Sequence, residues 1–199
     1  MKTGIILAGG EARRAGGSEK YLFSYNGETF LQRLISTLNE SVDEIIIVVR
    51  DEKQCRKLGN ISGVTIVTDI RKCTGPIGGL HAGIKASKGD IMFVVACDMP
   101  FVNKEVIKRL FEIADDYDAV IPCWNDEMFE PLHAVYKKNP LEDYMKSHKS
   151  LSMRDMIRNI RSCYVNVERL KDIDPELRTF TNINHLEELE KLKNGELFK

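Results

Sequence analysis

The stretch Ile5-Ile6-Leu7-Ala8-Gly9-Gly10 carries an apolar run directly into a loop rich in glycine and positive charge, Glu11-Ala12-Arg13-Arg14-Ala15-Gly16-Gly17-Ser18-Glu19-Lys20. Glycines leave room for a ligand against the backbone and permit the positive φ angles that turn successive N–H groups toward an anion. Arg14 and Lys20 add mobile positive charge, which suits a nucleoside triphosphate. The stretch therefore predicts a strand that ends in a phosphate-binding loop.

This loop follows neither of the two common glycine patterns. The P-loop ends in Gly-Lys-Ser/Thr, and the dinucleotide fingerprint places one glycine at each of three set positions. Isolated glycine motifs are weak evidence, so a glycine-rich turn with surface charges and no ligand is the alternative.

Length and composition predict one globular domain. The chain has 199 residues, of which 43% are hydrophobic and 30% charged, with a formal net charge of −1. A near-neutral chain has no polyelectrolyte signature, so we expect neither a nucleic acid nor a membrane surface as partner. No apolar run approaches the ~18 residues of a membrane span. The N-terminus enters a strand without a charged and apolar leader, which favours a cytoplasmic protein.

The five cysteines predict a reducing environment. They are odd in number and widely spaced, with no Cys-x-x-Cys pair. This pattern argues against a disulfide framework and against a zinc site. Cys97 precedes Asp98 at the end of an apolar run, where we interpret it as a small buried hydrophobic residue.

Apolar runs alternate with amphipathic helical patterns along most of the chain. The strands are predicted over residues 3–7, 44–49, 64–67, 91–96, 119–122, 132–136 and 164–167. The helices are predicted over residues 30–38, 53–58, 80–87, 106–114, 139–147, 152–159 and 186–192, the last one capped by Asn184 with Glu187 reaching back. This order predicts an α/β fold, a single domain with a doubly wound, mostly parallel sheet flanked by helices.

Three polar or glycine-rich loops follow predicted strands. They are the glycine loop, Asp69 with the segment Thr74-Gly75-Pro76-Ile77-Gly78-Gly79-Leu80, and Cys97-Asp98-Met99-Pro100. In an open α/β sheet, ligands bind beyond the carboxyl ends of the strands, where the strand order reverses. We therefore expect the three loops to converge on one site.

Asp98 and Asp69 have different expected roles in that site. Asp98 ends a buried strand, and the proline two residues later restricts the backbone, so it is placed like a ligand of Mg²⁺, which takes one or two carboxylates plus phosphate oxygens. Its alternative is to cap the next helix, a role for which Asn103 is better placed. Asp69 suits a ribose or base contact, since phosphate would repel it. A simple turn role is its alternative.

These segments resemble the molybdenum cofactor guanylyltransferases, a family of nucleotidyltransferases. The family loop reads Leu-Ala-Gly-Gly, three variable residues, Arg-Met-Gly, a small residue, a variable residue and Asp-Lys. The chain matches it at residues 7–10, Arg14, Gly16, Gly17 and Lys20, and departs at Ala15 and Glu19. Further matches are Cys97-Asp98-x-Pro100, Asp69, and the segment 75–79, where the family has Gly-Pro-Leu-Ala/Gly-Gly.

The resemblance implies transfer of GMP from GTP to molybdopterin, with release of pyrophosphate and with Mg²⁺ held by Asp98. It implies a nucleotide-binding part over about residues 1–125 and an acceptor-side part over about 126–199. It also implies transient contact with proteins of cofactor synthesis and with molybdoenzymes. The implied catalytic residues are Arg14, Lys20 and Asp98. The implied binding residues are Leu7, Ala8, Gly9, Gly10, Lys20, Asp69, Gly75, Pro76, Gly78, Gly79, Asp98, Asn182 and Asn184.

The sequence is also compatible with other functions. The family usually has a polar residue at the end of the second strand, where this chain has Val48, and this departure weakens the preference for guanine. The alternatives are transfer from CTP to molybdopterin, transfer of a nucleotide to a sugar phosphate or phosphorylated alcohol, and a GTP-binding protein without catalysis. On the acceptor side, His133 is interpreted either as a contact to pterin or phosphate or as a buried structural residue, and Trp124 as a rim or surface aromatic.

Overall fold

The computed structural model describes residues 1–9, 19–69, 75–148 and 150–196. Its main sheet has seven strands in the order β5-β4-β1-β6-β8-β7-β9. These strands are β1 Lys2–Leu7, β4 Glu44–Val49, β5 Val64–Thr68, β6 Ile91–Ala96, β7 Ala119–Cys123, β8 His133–Lys137 and β9 Ser162–Asn166. A small hairpin is formed by β2 Ser24–Tyr25 and β3 Glu28–Thr29.

All strands of the main sheet except β8 point the same way. Strand β8 is antiparallel to both of its neighbours, β6 and β7, whereas the other pairs are parallel. The carboxyl ends of the parallel strands therefore meet at one edge, and β8 begins at that same edge. The predicted α/β fold with a mostly parallel sheet is confirmed.

Helices cover both faces of the sheet. They are α1 Phe30–Asn39, α2 Glu52–Leu58, α3 Pro76–Ala86, α4 Lys104–Ile113, α5 Lys138–Ser147, α6 Met153–Asn159 and α7 Leu186–Lys193. In β4, Ile45 and Ile47 belong to the hydrophobic cluster that includes α1 and α4 residues, and Ile46 belongs to the cluster on the other face with α3 and α5 residues. A strand buried on both faces reads as a continuous apolar run, which explains why β4 and β6 are recognised in the sequence.

The structure corrects the predicted start of α3. The sequence pattern placed this helix at residue 80 after a glycine-rich turn, but it begins at Pro76, with Gly75 at φ +66° before it. Proline suits the first turn of a helix because its missing N–H has no intrahelical partner there. A Cβ at Gly83 would lie only 2.8 Å from Ile5 Cγ2, so this glycine lets α3 pack closely on β1.

The cap of the last helix also differs from the prediction. Helix α7 is preceded by His185 rather than capped by Asn184. The carboxylate that reaches back belongs to Glu188, which accepts hydrogen bonds from the N–H groups of Asn184 and His185 at 2.6 and 3.1 Å. The predicted role of Glu187 is therefore wrong by one residue, and Asn184 is left available for another contact.

Two findings bear on the expected environment. The four cysteines in the described part of the chain, Cys55, Cys97, Cys123 and Cys163, are free thiols. Within the described ranges, none of the helices combines the length and the apolar character that crossing a bilayer requires.

Candidate active site

A cavity of about 650 Å³ opens at the carboxyl ends of β1, β4, β5 and β6. It contains most of the residues that the sequence analysis expected there. The expected residues that line it are Leu7, Ala8, Gly9, Lys20, Asp69, Gly75, Pro76, Gly79 and Asp98. The predicted convergence of the strand-end loops is thus confirmed for their described parts.

The other expected residues lie within α3, in the C-terminal segment or outside the described part of the chain. Gly78 is buried within α3, where its N–H donates to the Gly75 carbonyl at 3.2 Å. Asn182 is exposed on the C-terminal segment, and Asn184 joins the site through Lys20. Gly10 and Arg14 lie outside the described residues.

The Lys20 side chain links the N-terminal loop to the C-terminal segment at the carboxyl end of β6. Its Nζ donates to Asp98 Oδ2 at 2.8 Å and to Asn184 Oδ1 at 2.5 Å. The Lys20 and Asp98 side chains are only 21% and 15% exposed, so this ion pair is shielded from water and interacts more strongly than a surface pair. The contact fixes an ammonium group beside a carboxylate at the cavity wall.

Backbone contacts hold Asp98 in place. The N–H of Cys97 donates to the Leu7 carbonyl at 3.1 Å, which extends the pairing of β6 with β1 to the residue before Asp98. The Asp98 carbonyl accepts from the N–H of Ile183 at 2.9 Å, which brings the C-terminal segment over the end of β6. Asn103 Oδ1 accepts from the Glu105 N–H and caps α4, so Asp98 is free of that alternative role.

The donor set at Asp98 fits a magnesium ion that is bound together with phosphate. Of the residues that the structure describes, none donates a hydrogen bond to the buried Oδ1 of Asp98, and a buried carboxylate oxygen usually pairs with a donor, a ligand or water. Among the described residues, no group of three or more His, Cys, Asp or Glu side chains forms a metal site by itself. Mg²⁺ does not need one, because it takes one or two carboxylates and completes its shell with phosphate oxygens and water.

The opposite wall of the cavity is organised by Gln54, which the sequence analysis did not identify. Its side chain is 2% exposed. Its Nε2 donates to the Ala8 carbonyl at 2.9 Å and to Glu19 Oε2 at 3.2 Å, and its Oε1 accepts from the Arg50 N–H at 2.7 Å. The side-chain amide of Gln54 therefore links the ends of β1 and β4 to Glu19, the residue before Lys20.

Charged residues extend this network along the cavity wall. Arg50 contacts Asp51 Oδ2 at 3.1 Å and Glu19 Oε1 at 3.4 Å. The hydrogen bond to Asp51 is the main reason that the pKa of Arg50 is raised. The pKa of Asp51 is lowered, chiefly by the N–H of Gln54. Glu19, which replaces the aspartate usual in the resembled family, reaches both Arg50 and Gln54 with its longer side chain.

Gly9 and Asp69 are placed by the same strand ends. A Cβ at Gly9 would lie 3.2 Å from the Arg50 nitrogen, so glycine allows the two strand ends to approach closely. The N–H of Asp69 donates to the Val49 carbonyl at 2.8 Å, which holds this carboxylate at the cavity wall beside β4. Asp69 therefore lies on the same side of the cavity as the Gln54 network. Strands β4 and β1 separate it from Asp98.

Gln54→Leu is expected to destabilise the fold and to weaken binding of the GTP that the sequence resemblance implies. The substitution leaves the Ala8 carbonyl and the Arg50 N–H without their partner, and each unsatisfied buried group costs about 1–3 kcal/mol. We expect a free energy of unfolding lower by about 2 kcal/mol and a KM for GTP raised roughly 10-fold. Chemical denaturation and initial rates check this. Lys53→Leu, an exposed change in the same helix, serves as control, and an unchanged KM for GTP would contradict the assigned role.

Two residues near the site are structural. His133 is completely buried between the rings of Phe93 and Phe180, with centroid distances of 5.1 and 4.8 Å. Burial lowers its pKa to about 3, so it is neutral and has no access to pterin or phosphate. Burial raises the pKa of the Cys97 thiol to about 12, in agreement with its interpretation as a small hydrophobic residue.

The chain is similar to a family model and to several relatives over most of its length. The model of the MobA-like NTP transferase domain matches residues 4–166. A probable molybdenum cofactor guanylyltransferase from Methanosarcina mazei is 41% identical, over 96% of this chain and 90% of that protein. A protein of the same description from Clostridium perfringens is 32% identical, over 96% of each chain.

A solved structure extends the likeness to three dimensions. The molybdopterin-guanine dinucleotide biosynthesis protein A from Archaeoglobus fulgidus superposes with a TM-score of 0.78 at 30% identity, over 98% of this chain and 97% of that one. Sequence and fold thus point to the same group of proteins over nearly the whole chain. The chain belongs to the family of the MobA-like NTP transferase domain.

Proposed function

We propose that this protein transfers GMP from GTP to the phosphate of molybdopterin and releases pyrophosphate. The relatives described as molybdenum cofactor guanylyltransferases support this reaction. The structural observation that carries it is the Lys20–Asp98–Asn184 cluster, whose Lys20 and Asp98 line one cavity with Glu19, Arg50 and Asp51 of the Gln54 network. We assign the binding of the nucleoside to the side of the cavity with the Gln54 network and Asp69, the nucleoside wall. We assign the reaction to the Lys20–Asp98–Asn184 cluster, the transfer centre.

The reaction requires little chemistry from side chains beyond placement and charge. An oxygen of the acceptor phosphate forms a bond to the α-phosphorus of GTP, and the bond from that phosphorus to the bridging oxygen breaks as pyrophosphate leaves. The acceptor phosphate is already an anion at neutral pH, so no general base is needed. Catalysis then depends on in-line placement and on neutralisation of charge.

Lys20 is the described residue that supplies positive charge at the transfer centre. Asp98 and Asn184 orient its ammonium group, because both oxygens accept from the same Nζ. Asp98 would hold Mg²⁺, which when bound neutralises phosphate charge. The positive charge of Arg14 is a further expectation, from the part of the loop outside the described residues.

Cellular context forms a further part of the proposal. We place the protein in the cytoplasm, which the free thiols in the described part of the chain support. Transient contact with proteins of cofactor synthesis and with molybdoenzymes follows from the proposed reaction, since its product is a cofactor that an enzyme must receive.

The test is release of pyrophosphate with each of the four nucleoside triphosphates, in the presence and absence of molybdopterin and Mg²⁺. The proposal expects release only with molybdopterin and Mg²⁺, and at least 10-fold faster with GTP than with CTP, about 1.4 kcal/mol of discrimination. Equal rates with GTP and CTP would contradict the base assignment. Release with GTP but without molybdopterin would contradict the acceptor.

A further inference from the structure

The connection between β7 and β8, residues 124–132, lies at the same edge of the sheet as the transfer centre. Its backbone is well tied down. The Trp124 N–H donates to the Met128 carbonyl at 2.9 Å, and the Glu130 N–H donates to the Pro122 carbonyl at 2.8 Å. Asn125 Oδ1 accepts from the N–H groups of Glu127 and Met128, which closes the turn. These hydrogen bonds give the connection a defined backbone conformation.

Trp124 and Glu130 face each other across this connection. Trp124 Nε1 donates to Glu130 Oε1 at 2.8 Å. The indole also contacts the Phe180 ring edge-on, with a centroid distance of 5.8 Å and an interplanar angle of 71°. These two contacts fix the indole while 39% of the residue remains exposed. An exposed aromatic ring held in this way offers a surface on which a flat ligand can pack.

The Glu130 carboxylate has spare capacity to accept hydrogen bonds. Within the described ranges, Trp124 Nε1 is its only side-chain partner, whereas an ionised carboxylate has about four acceptor sites. Burial raises the pKa of Glu130, and the bond from Trp124 offsets this only in part. A half-buried carboxylate with unused acceptor sites is stabilised by a ligand that supplies further N–H donors.

The position of this pair relative to the transfer centre is set by the strand order. Leu132, two residues after Glu130, lines the cavity, and its carbonyl accepts from the Ala96 N–H at 3.2 Å. Strand β7 lies two strands from β6, which ends before Asp98, and this spacing corresponds to roughly 10 Å. The proposed nucleoside wall, formed by Asp69 with the Arg50 and Asp51 that Gln54 contacts, lies on the other side of β6, at the ends of β4 and β5.

We propose that Trp124 and Glu130 form the subsite for the ring of the acceptor, a pterin. Trp124 packs against the ring system, and the Glu130 carboxylate accepts from the ring N–H and the neighbouring 2-amino group. This assignment rests on the proposed function for the identity of the acceptor. Guanine presents the same pair of donors, but its place is the opposite wall, so the subsite is assigned to the pterin.

Direct binding separates this proposal from the transfer reaction. Neopterin, a soluble fluorescent pterin, is titrated into the wild-type protein in parallel with lumazine, which carries an oxo group in place of the 2-amino group. We expect neopterin to bind roughly 10- to 100-fold more tightly than lumazine, as expected for hydrogen bonds to a charged group. Equal affinities would overturn the assignment of the carboxylate.

Glu130→Gln is the matched variant. Its amide oxygen still accepts from Trp124 Nε1, but its NH₂ group meets the donors of the pterin. We expect it to lose about 10- to 100-fold in neopterin affinity and to raise the KM for molybdopterin by a similar factor. The KM for GTP and the thermal midpoint should remain close to those of the wild type. Trp124→Leu should weaken the binding of both neopterin and lumazine, since it removes the packing surface together with the Nε1 donor to Glu130.

The results also distinguish the two proposals. If neopterin binds as expected but no GMP is transferred, the proposed function fails while the ring subsite stands. If Glu130→Gln leaves neopterin affinity unchanged, the ring subsite is wrong whatever the transfer assay gives. If the variant instead raises the KM for GTP, the carboxylate serves the guanine and the assignment to the acceptor is overturned.

Discussion

Replacing Asp98 with asparagine is expected to lower kcat roughly 100- to 1,000-fold, the range typical for loss of one preorganised electrostatic group. Asparagine keeps the size of the side chain but removes its negative charge, so the ammonium of Lys20 loses its ionic partner. The oxygen that is suited to Mg²⁺ loses its charge as well. Pyrophosphate release with GTP and molybdopterin measures the effect, and the dependence on Mg²⁺ concentration should shift upward.

The control is Asp90→Asn, because Asp90 precedes the opposite end of the same strand. Its side chain is 93% exposed and lies 3.8 Å from the N-terminal amine. An exposed pair of this kind contributes about 0–1 kcal/mol, so activity and stability should stay near the wild-type values. Activity of Asp98→Asn within a factor of three of the control would refute the role of Asp98.

Lys20→Met is the second change with a large expected effect. Methionine keeps an unbranched apolar side chain but removes the ammonium that contacts Asp98 and Asn184. We expect kcat to fall roughly 100- to 1,000-fold, since positive charge beside the transferred group stabilises the transition state. Lys104→Met is the matched control, because Lys104 pairs with Glu40 on the surface.

The double variant shows whether Lys20 and Asp98 act as a unit. Residues in direct contact give non-additive effects, and groups that work together lose little more when both are removed than when one is. We therefore expect Asp98→Asn with Lys20→Met to be within about 10-fold of the slower single variant. Losses that multiply to their full product would show that the two side chains act independently, against the geometry of the ion pair.

The fold could be predicted from the sequence where both faces of a strand are buried. Residues 44–49 and 91–96 form continuous apolar runs, and the predicted bounds of both strands agree with the structure. The predicted start of α3 is wrong because its first turn, Pro76 to Gly79, has the composition of a turn. The glycine that allows close packing on β1 lies further along the helix, at Gly83. The cap of α7 was wrong by one residue because two adjacent glutamates satisfy the same pattern.

The site could be predicted where it is carried by local motifs and not where it depends on tertiary contacts. Lys20, Asp69 and Asp98 stand at strand ends or in a glycine loop, and all three line the cavity. Gln54 sits among charged residues of a short helix, and nothing in that pattern reveals that its amide is buried. The contact between Trp124 and Glu130 forms across a turn whose shape the sequence alone does not specify.

The fate of the GTP phosphates tests the central proposal most directly. The protein is incubated with molybdopterin and Mg²⁺, and with GTP labelled at either the α- or the γ-phosphorus. Attack at the α-phosphorus predicts that the α label enters a product containing both guanine and pterin, while the γ label leaves in pyrophosphate. Transfer of the γ label to molybdopterin, or an α label that stays in GTP, would contradict the reaction assigned to this site.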